Sequence, residues 1–175
     1  MKKLSMEELN RITPEQFKEQ EKIPLVVVLD SIRSMNNVGS VFRTCDAFKV
    51  EKLYLCGITA CPPNRDISKT ALGATESVIW EYVEDVVVLA KRLQSEGYKV
   101  FMVEQVDESV MLQDMSFQNV GKVAVILGNE VLGVDERLLP VCDGAIEIPQ
   151  FGTKHSLNVT IAAGIVIWEI AKQHL

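Results

Sequence analysis

The chain has 175 residues, of which 47% are hydrophobic and 24% charged, a composition that excludes intrinsic disorder and collagen-like structure and suits one globular domain. The formal net charge of −6 excludes a surface that is basic all over and holds nucleic acid indiscriminately. The longest stretch without Asp, Glu, Lys or Arg, His155 to Trp168, is 14 residues, short of the ~18 that would suggest a membrane span.

The N-terminus meets Glu7 and Glu8 before any apolar run, so no secretory signal is read and a cytoplasmic address is expected. Residues 1 to 24 balance five basic against five acidic side chains, so the acidic excess lies beyond Pro24. Ser5 to Glu8 forms one capping-box pattern, and Thr13 to Gln16, with Pro14 at the first helical position, forms another; two short helices are expected in this extension. At Pro24 the texture changes to Leu25-Val-Val-Val-Leu29, a β-branched run too short for a helix and uniform enough for a strand covered on both faces. The main domain is expected to span residues 25–175.

From there strands are predicted near 25–30, 52–58, 77–82, 99–104, 123–127 and 144–148, with helices near 37–48, 84–96, 135–140 and 156–173. This alternation predicts an α/β domain with a largely parallel sheet. In the last helix Leu157, Ile161, Ile165 and Trp168 recur at spacings of 4, 4 and 3, while Val159, Ala163, Ile167 and Ile170 make the other side apolar too. Such a helix is expected to be buried on most of its circumference, at the centre of the domain or under a partner subunit. A homodimer is therefore expected, symmetric dimers being the commonest oligomer. The cysteines Cys45, Cys56, Cys61 and Cys142 hold no C-x-x-C pair and have only His155 and His174 to join them, so no metal site is expected and the thiols read as reduced, small and apolar.

Ligands of open parallel sheets bind at the carboxyl ends of strands. Three loops there are unusual: Asn36-Asn37-x-Gly39-x-x-x-Arg43-Thr44, then Leu127-Gly128-Asn129-Glu130-x-x-Gly133, then Ile148-Pro149-x-x-Gly152-x-Lys154-His155-Ser156-Leu157-Asn158. Taken singly, each has a plain structural meaning. Asn37 could cap a helix, Gly39 allow close packing, Arg43 be a solvated charge and Ser156 a helix N-cap. Gly128 and Gly133 have the gap of a phosphate loop, but Val134-Asp135 stands where Lys-Ser/Thr is required, and no G-x-G-x-x-G follows the first strand. No G-x-S-x-G elbow surrounds Ser156.

In this order, each at a strand end, the three motifs resemble the SpoU (TrmH-like) branch of the SPOUT RNA methyltransferases, over residues 25 to 172. The resemblance implies an α/β SPOUT fold with a mostly parallel sheet, flanking helices and a deep C-terminal trefoil knot threaded from about Val123. It implies an S-adenosylmethionine pocket at Gly128, Glu130, Gly133, Ile148, Leu157 and Asn158, and catalytic positions at Asn37, Arg43, Glu130, Ser156 and Asn158. The implied reaction methylates a ribose 2′-hydroxyl of RNA, with tRNA placed ahead of ribosomal RNA. Methyl transfer from a sulfonium requires only an oxygen nucleophile held in line, without metal or redox group. Arg43 reads as a phosphate clamp rather than a base, because a guanidinium with a pKa above ~12 stays charged. RNA contacts are expected from Arg33, Arg43, Arg65, Lys69, Lys154 and His155. Two other classes compete: a catalytically silent RNA-binding module of the same fold, and a small α/β enzyme with a nucleotide-like ligand acting on an acidic protein.

Overall fold

A computed structural model describes residues 1–5, 8–9 and 12–174. The second capping box forms as expected. Gln16 N–H donates to Thr13 Oγ1 at 3.3 Å, Thr13 N–H donates to Gln16 Oε1 at 2.9 Å, and the short helix α1 (Pro14–Glu19) follows. At the first, Ser5 and Glu8 exchange the reciprocal bonds, but the helix expected there falls partly on residues 6–7 and 10–11, outside the described residues.

The apolar run after Pro24 becomes β1 (Ile23–Asp30), and alternating strands and helices follow: α2 (Met35–Ala47), β2 (Val50–Cys56), α3 (Arg65–Ala71), α4 (Ala74–Ser77), β3 (Trp80–Val83), α5 (Val86–Ser95), β4 (Tyr98–Val103), β5 (Val110–Met111), β6 (Lys122–Leu127), β7 (Gly144–Glu147) and α6 (Val159–Ala171). The strands form one sheet in the order β3-β2-β1-β6-β4-β7-β5, every pair parallel. β1 is central, and from Leu25 to Asp30 all six residues are buried. Its side chains alternate between two cores. Leu25, Val27 and Leu29 pack with α2, α3 and α6, while Val26 and Val28 pack with α5 and Leu138. That two-sided burial is the physical reason for an unbroken β-branched run where a half-exposed strand would alternate.

Several boundaries differ from expectation. α2 starts at Met35 because Ser34, not Asn37, is its N-cap, with Ser34 Oγ accepting from Asn37 N–H at 3.3 Å. α6 starts at Val159, not 156, because Asn158 caps it by accepting from Thr160 N–H at 2.8 Å. Ser156 is therefore not the cap. The helix expected at 135–140 is one 3-10 turn, Glu136–Leu138. The strand predicted from residue 77 starts at Trp80, because residues 74–77 are helical, and α3 and β5 have no counterpart among the predicted elements. α3 buries only Ile67 and Ala71, too few apolar positions to show a period. Gly39 does allow close packing: a Cβ there would lie 2.2 Å from Ile67 O on α3.

Within the chain α6 is covered on one face only. Its buried face is Val159, Ala163, Val166, Ile167 and Ile170. The stripe Leu157, Ile161, Ile165 and Trp168 is 39%, 54%, 38% and 47% exposed. Cys45 and Cys56 are buried and Cys61 and Cys142 half-buried, all as free thiols. Burial pushes the Cys56 thiol up to about 12 and the Cys142 thiol up to about 11, so neither is a thiolate near neutrality.

Candidate active site

The three motif loops meet at the carboxyl edge of the sheet. Glu130, from the loop after β6, accepts from Arg33 N–H at 2.9 Å, Ser34 N–H at 3.1 Å and Asn37 Nδ2–H at 3.1 Å. Asn158, at the head of α6, donates through Nδ2 to Asn37 Oδ1 at 3.4 Å. Asn37, Glu130 and Asn158, 93 and 121 residues apart in the two pairs, thus share one polar junction. Partial burial pushes the Glu130 carboxyl up, but the N–H donors outweigh it and hold the pKa below its ordinary 4.5. A carboxylate so engaged ties the loop after β1 to the loop after β6 and leaves little basicity for proton abstraction.

This pair of loops predicts a pH-dependent joint. Because the folded pKa is depressed, the stabilisation is complete above the unfolded value near 4.5 and is lost as pH falls through the lower folded value. The melting-temperature gap between the native chain and Glu130→Gln should therefore be widest near neutrality and shrink below about 4.5; a gap independent of pH would show that the charge is not what holds the loops.

The loop carrying Glu130 is itself fixed at several points. Asn129 and Gly133 exchange backbone bonds of 2.8 and 2.9 Å, and Asn129 Nδ2–H donates to Ser31 O at 2.6 Å. Val134 N–H donates to Glu104 Oε2 at 3.2 Å and Asp135 N–H to Asp30 Oδ2 at 3.3 Å. Gly133 has φ +74°, a left-handed conformation that favours glycine. At Gly128 a Cβ would stand 2.2 Å from the backbone of both Gly133 and Val134, so the loop closes on itself only over a glycine.

Beside this loop lies a cavity of about 580 Å³. Leu127, Ile146, Ile148, Leu157, Val159 and Ala162 give it apolar walls; Gly128, Glu130, Gly133, Ser156 and Asn158 also line it, as does His155. Every residue expected to bind a cofactor is here. Sequence reasoning missed Glu104 and Gln105, which follow β4, and Glu147 and Gln150 around the end of β7. Only their position at strand carboxyl ends could have marked them.

Arg43 is placed elsewhere. It stands six residues beyond Asn37 on α2, about 9 Å along the axis and about 120° around it, and it lines a second cavity with Asp46, Lys49 and residues of α1 and α4. Arg33, Arg65, Lys69 and Lys154 are exposed. Lys69 is ion-paired to Asp66 at 2.6 Å, whereas Arg33, Arg65 and Lys154 make no salt bridge among the described residues.

A cavity of this size, lined by apolar and polar side chains in similar measure, stands at the carboxyl ends of parallel strands, where open α/β sheets bind their ligands. The sequence model of the SpoU rRNA Methylase family matches residues 24–168, and the chain belongs to that family. The 23S rRNA (guanosine-2′-O-)-methyltransferase RlmB of Vibrio parahaemolyticus is 31% identical over 157 residues, 89% of this chain and 62% of that relative. The chain thus spans less than two thirds of it. The tRNA (guanosine(18)-2′-O)-methyltransferase of Thermus thermophilus is 28% identical over 151 residues, covering 86% of this chain and 76% of that enzyme. The crystal structure of an AdoMet-bound rRNA methyltransferase from Sinorhizobium meliloti superposes with a TM-score of 0.80 at 25% identity, over 94% of this chain and 62% of that one.

Proposed function

We propose that the chain is an S-adenosylmethionine-dependent RNA methyltransferase acting on a ribose 2′-hydroxyl. The observation that carries this reading is the convergence of Asn37 on Glu130 and Asn158, two residues that line the 580 Å³ cavity. The residues of that cavity fit the cofactor. Adenine needs a flat apolar slot, which the leucine, isoleucine and valine side chains supply, and a close main chain, which Gly128 and Gly133 allow. The Glu104 and Glu147 carboxylates suit the cofactor's positive groups.

When bound, S-adenosylmethionine supplies a methyl group on a positively charged sulfur. The chain's part is to hold the attacking hydroxyl and stabilise it as its proton leaves. Arg43 clamps the neighbouring phosphate bidentately and faces the developing alkoxide. Asn37, Ser156 and Asn158 orient the reactants, and Glu130 holds their loops together. Because Arg43 lines a different cavity from the cofactor residues, we read the complete site as one built between two subunits of a homodimer. The exposed stripe Leu157, Ile161, Ile165 and Trp168 supports that reading, being an apolar surface that a second copy would cover.

The same reading includes a trefoil knot in the segment from about Val123, residues 1–24 as an extension, and cytoplasmic location. β6 lying between the earlier strands β1 and β4 supports the knot, and no helix among the described residues is long and apolar enough to cross a membrane. Transfer RNA is taken as the substrate ahead of ribosomal RNA, as the motif resemblance implies; both kinds of RNA stand in the names of the relatives.

With S-adenosylmethionine at 100 times its Kd, the fold should gain roughly 2.7 kcal/mol. For a chain of this length that corresponds to a melting shift on the order of 5 to 10 °C, and EDTA should leave it unchanged. Radiolabelled methyl groups should enter RNA and not protein. Mass spectrometric mapping of 2′-O-methyl nucleosides in RNA from a deletion strain then separates tRNA from rRNA. A chain that shows no melting shift with saturating cofactor is not this enzyme, and one that shows the shift but methylates no RNA is the silent module.

A further inference from the structure

The walls of the 580 Å³ cavity carry an excess of negative charge. Glu104, Glu130 and Glu147 line it, whereas among the described residues no lysine or arginine does, and His155 is its one basic side chain. The three carboxylates are not equivalent. Glu130 is taken up by the N–H groups of Arg33, Ser34 and Asn37. Glu104 and Glu147 make no salt bridge among the described residues.

Of these two, Glu104 is the more firmly placed. It follows β4, and two backbone groups hold it: its Oε2 accepts from Val134 N–H at 3.2 Å and its Oε1 from Gln105 N–H at 2.9 Å. Gly133 leaves it room, since a Cβ there would stand 2.3 Å from Glu104 Oε2. Glu147, at the end of β7, is held by the Ser109 hydroxyl, which donates to its Oε2 at 2.6 Å. The sheet order β1-β6-β4-β7 sets Glu104 one strand spacing, about 5 Å, nearer than Glu147 to the loop that carries Glu130. Glu130 and Asn158 mark the side on which the reacting hydroxyl is read to enter.

Methyl transfer changes the charge that these walls face. At neutral pH S-adenosylmethionine carries a sulfonium, an ammonium and a carboxylate, hence one net positive charge. As the methyl group passes to the hydroxyl oxygen, the electron pair of the broken bond stays on sulfur and the hydroxyl proton leaves to water. The resulting S-adenosylhomocysteine has no net charge. A fixed carboxylate without a cationic partner attracts the first form and has no sulfonium to attract in the second.

We propose that Glu104 makes the cavity selective for the charged form of the cofactor, holding S-adenosylmethionine through its sulfonium and letting S-adenosylhomocysteine go. The proposal rests on the reading of the chain as an S-adenosylmethionine-dependent methyltransferase and adds to it the residue that tells the fresh cofactor from the spent one. Glu147, a strand farther off, serves the ammonium that both forms share, so it adds affinity without selectivity.

The test is calorimetric titration of the full-length chain, without RNA, by S-adenosylmethionine, S-adenosylhomocysteine and sinefungin, an analogue with an ammonium-bearing carbon in place of the methylated sulfur. S-adenosylmethionine and sinefungin should bind about tenfold more tightly than S-adenosylhomocysteine, the effect of one charge partly screened by water. Glu104→Gln keeps the shape and an acceptor for Val134 N–H but removes the charge. It should weaken the two cationic ligands to the level of S-adenosylhomocysteine, whose own affinity should hold. Glu147→Gln should weaken all three by a similar factor. If Glu104→Gln does not fold, Glu104→Asp, which draws the charge back by one methylene, should narrow the ratio.

Equal affinities of the three ligands for the native chain, sinefungin binding no better than S-adenosylhomocysteine, or a ratio that survives the change at Glu104 would overturn the proposal. Saturable binding of all three with any of these outcomes removes only the selectivity. Binding of none of them removes the methyltransferase reading on which it rests.

Discussion

Replacing Arg43 by alanine should reduce methyl transfer by ~10² or more while leaving the cofactor-induced melting shift intact, as expected when a preorganised charge facing a developing oxyanion is removed. The two effects separate because Arg43 lines the cavity beside α1 and α4, whereas the residues read as cofactor-binding line the other. Arg43→Lys should remain poor, because a point charge cannot reproduce a planar two-pronged clamp. Single-turnover kinetics alongside thermal melts check both arms. Near-full activity in the lysine variant would reduce the clamp to simple charge, and near-full activity in the alanine variant would remove Arg43 from the reaction.

The converse pattern is expected of Gly128→Ala. The new Cβ would stand 2.2 Å from Gly133 C and Val134 N, both backbone atoms, so the loop from 128 to 134 must shift as a whole. That loop forms one wall of the cavity proposed for the cofactor and carries Glu130, so the melting shift with S-adenosylmethionine should disappear together with activity. A retained shift would place the cofactor elsewhere.

Mixing the two variants then tests how the site is assembled. If one subunit's Arg43 serves its partner's cofactor cavity, a mixed dimer of Arg43→Ala with Gly128→Ala contains one intact site, and activity should return to about a quarter of normal in a statistical mixture of dimers. If each subunit uses its own Arg43, both sites of the mixed dimer are broken and the mixture stays inactive. Size-exclusion chromatography with light scattering establishes that the mixed species is a dimer.

Local chemistry made the domain's alternation readable. The β-branched run Leu25–Leu29 is a strand because it is covered on both faces, and the Thr13 capping box and Pro14 start a helix where they stand in the chain. The order of the three glycine- and asparagine-rich motifs, each after a strand, was also visible, and so was the family they resemble. These properties depend on neighbours a few residues apart.

What lay beyond the sequence depends on neighbours far apart. That Asn37, Glu130 and Asn158 meet follows from β6 lying next to β1 and from α6 packing beside α2. That Arg43 does not join them, though only six residues from Asn37, follows from the helical turn of α2 and from the packing of α1 and α4 beside it. Periodicity showed two apolar sides of α6 but could not say which the domain covers. Both faces carry similar side chains, and only the packing of α6 against α2 and the sheet buries Val159, Ala163, Val166, Ile167 and Ile170 while leaving Leu157, Ile161, Ile165 and Trp168 at the surface.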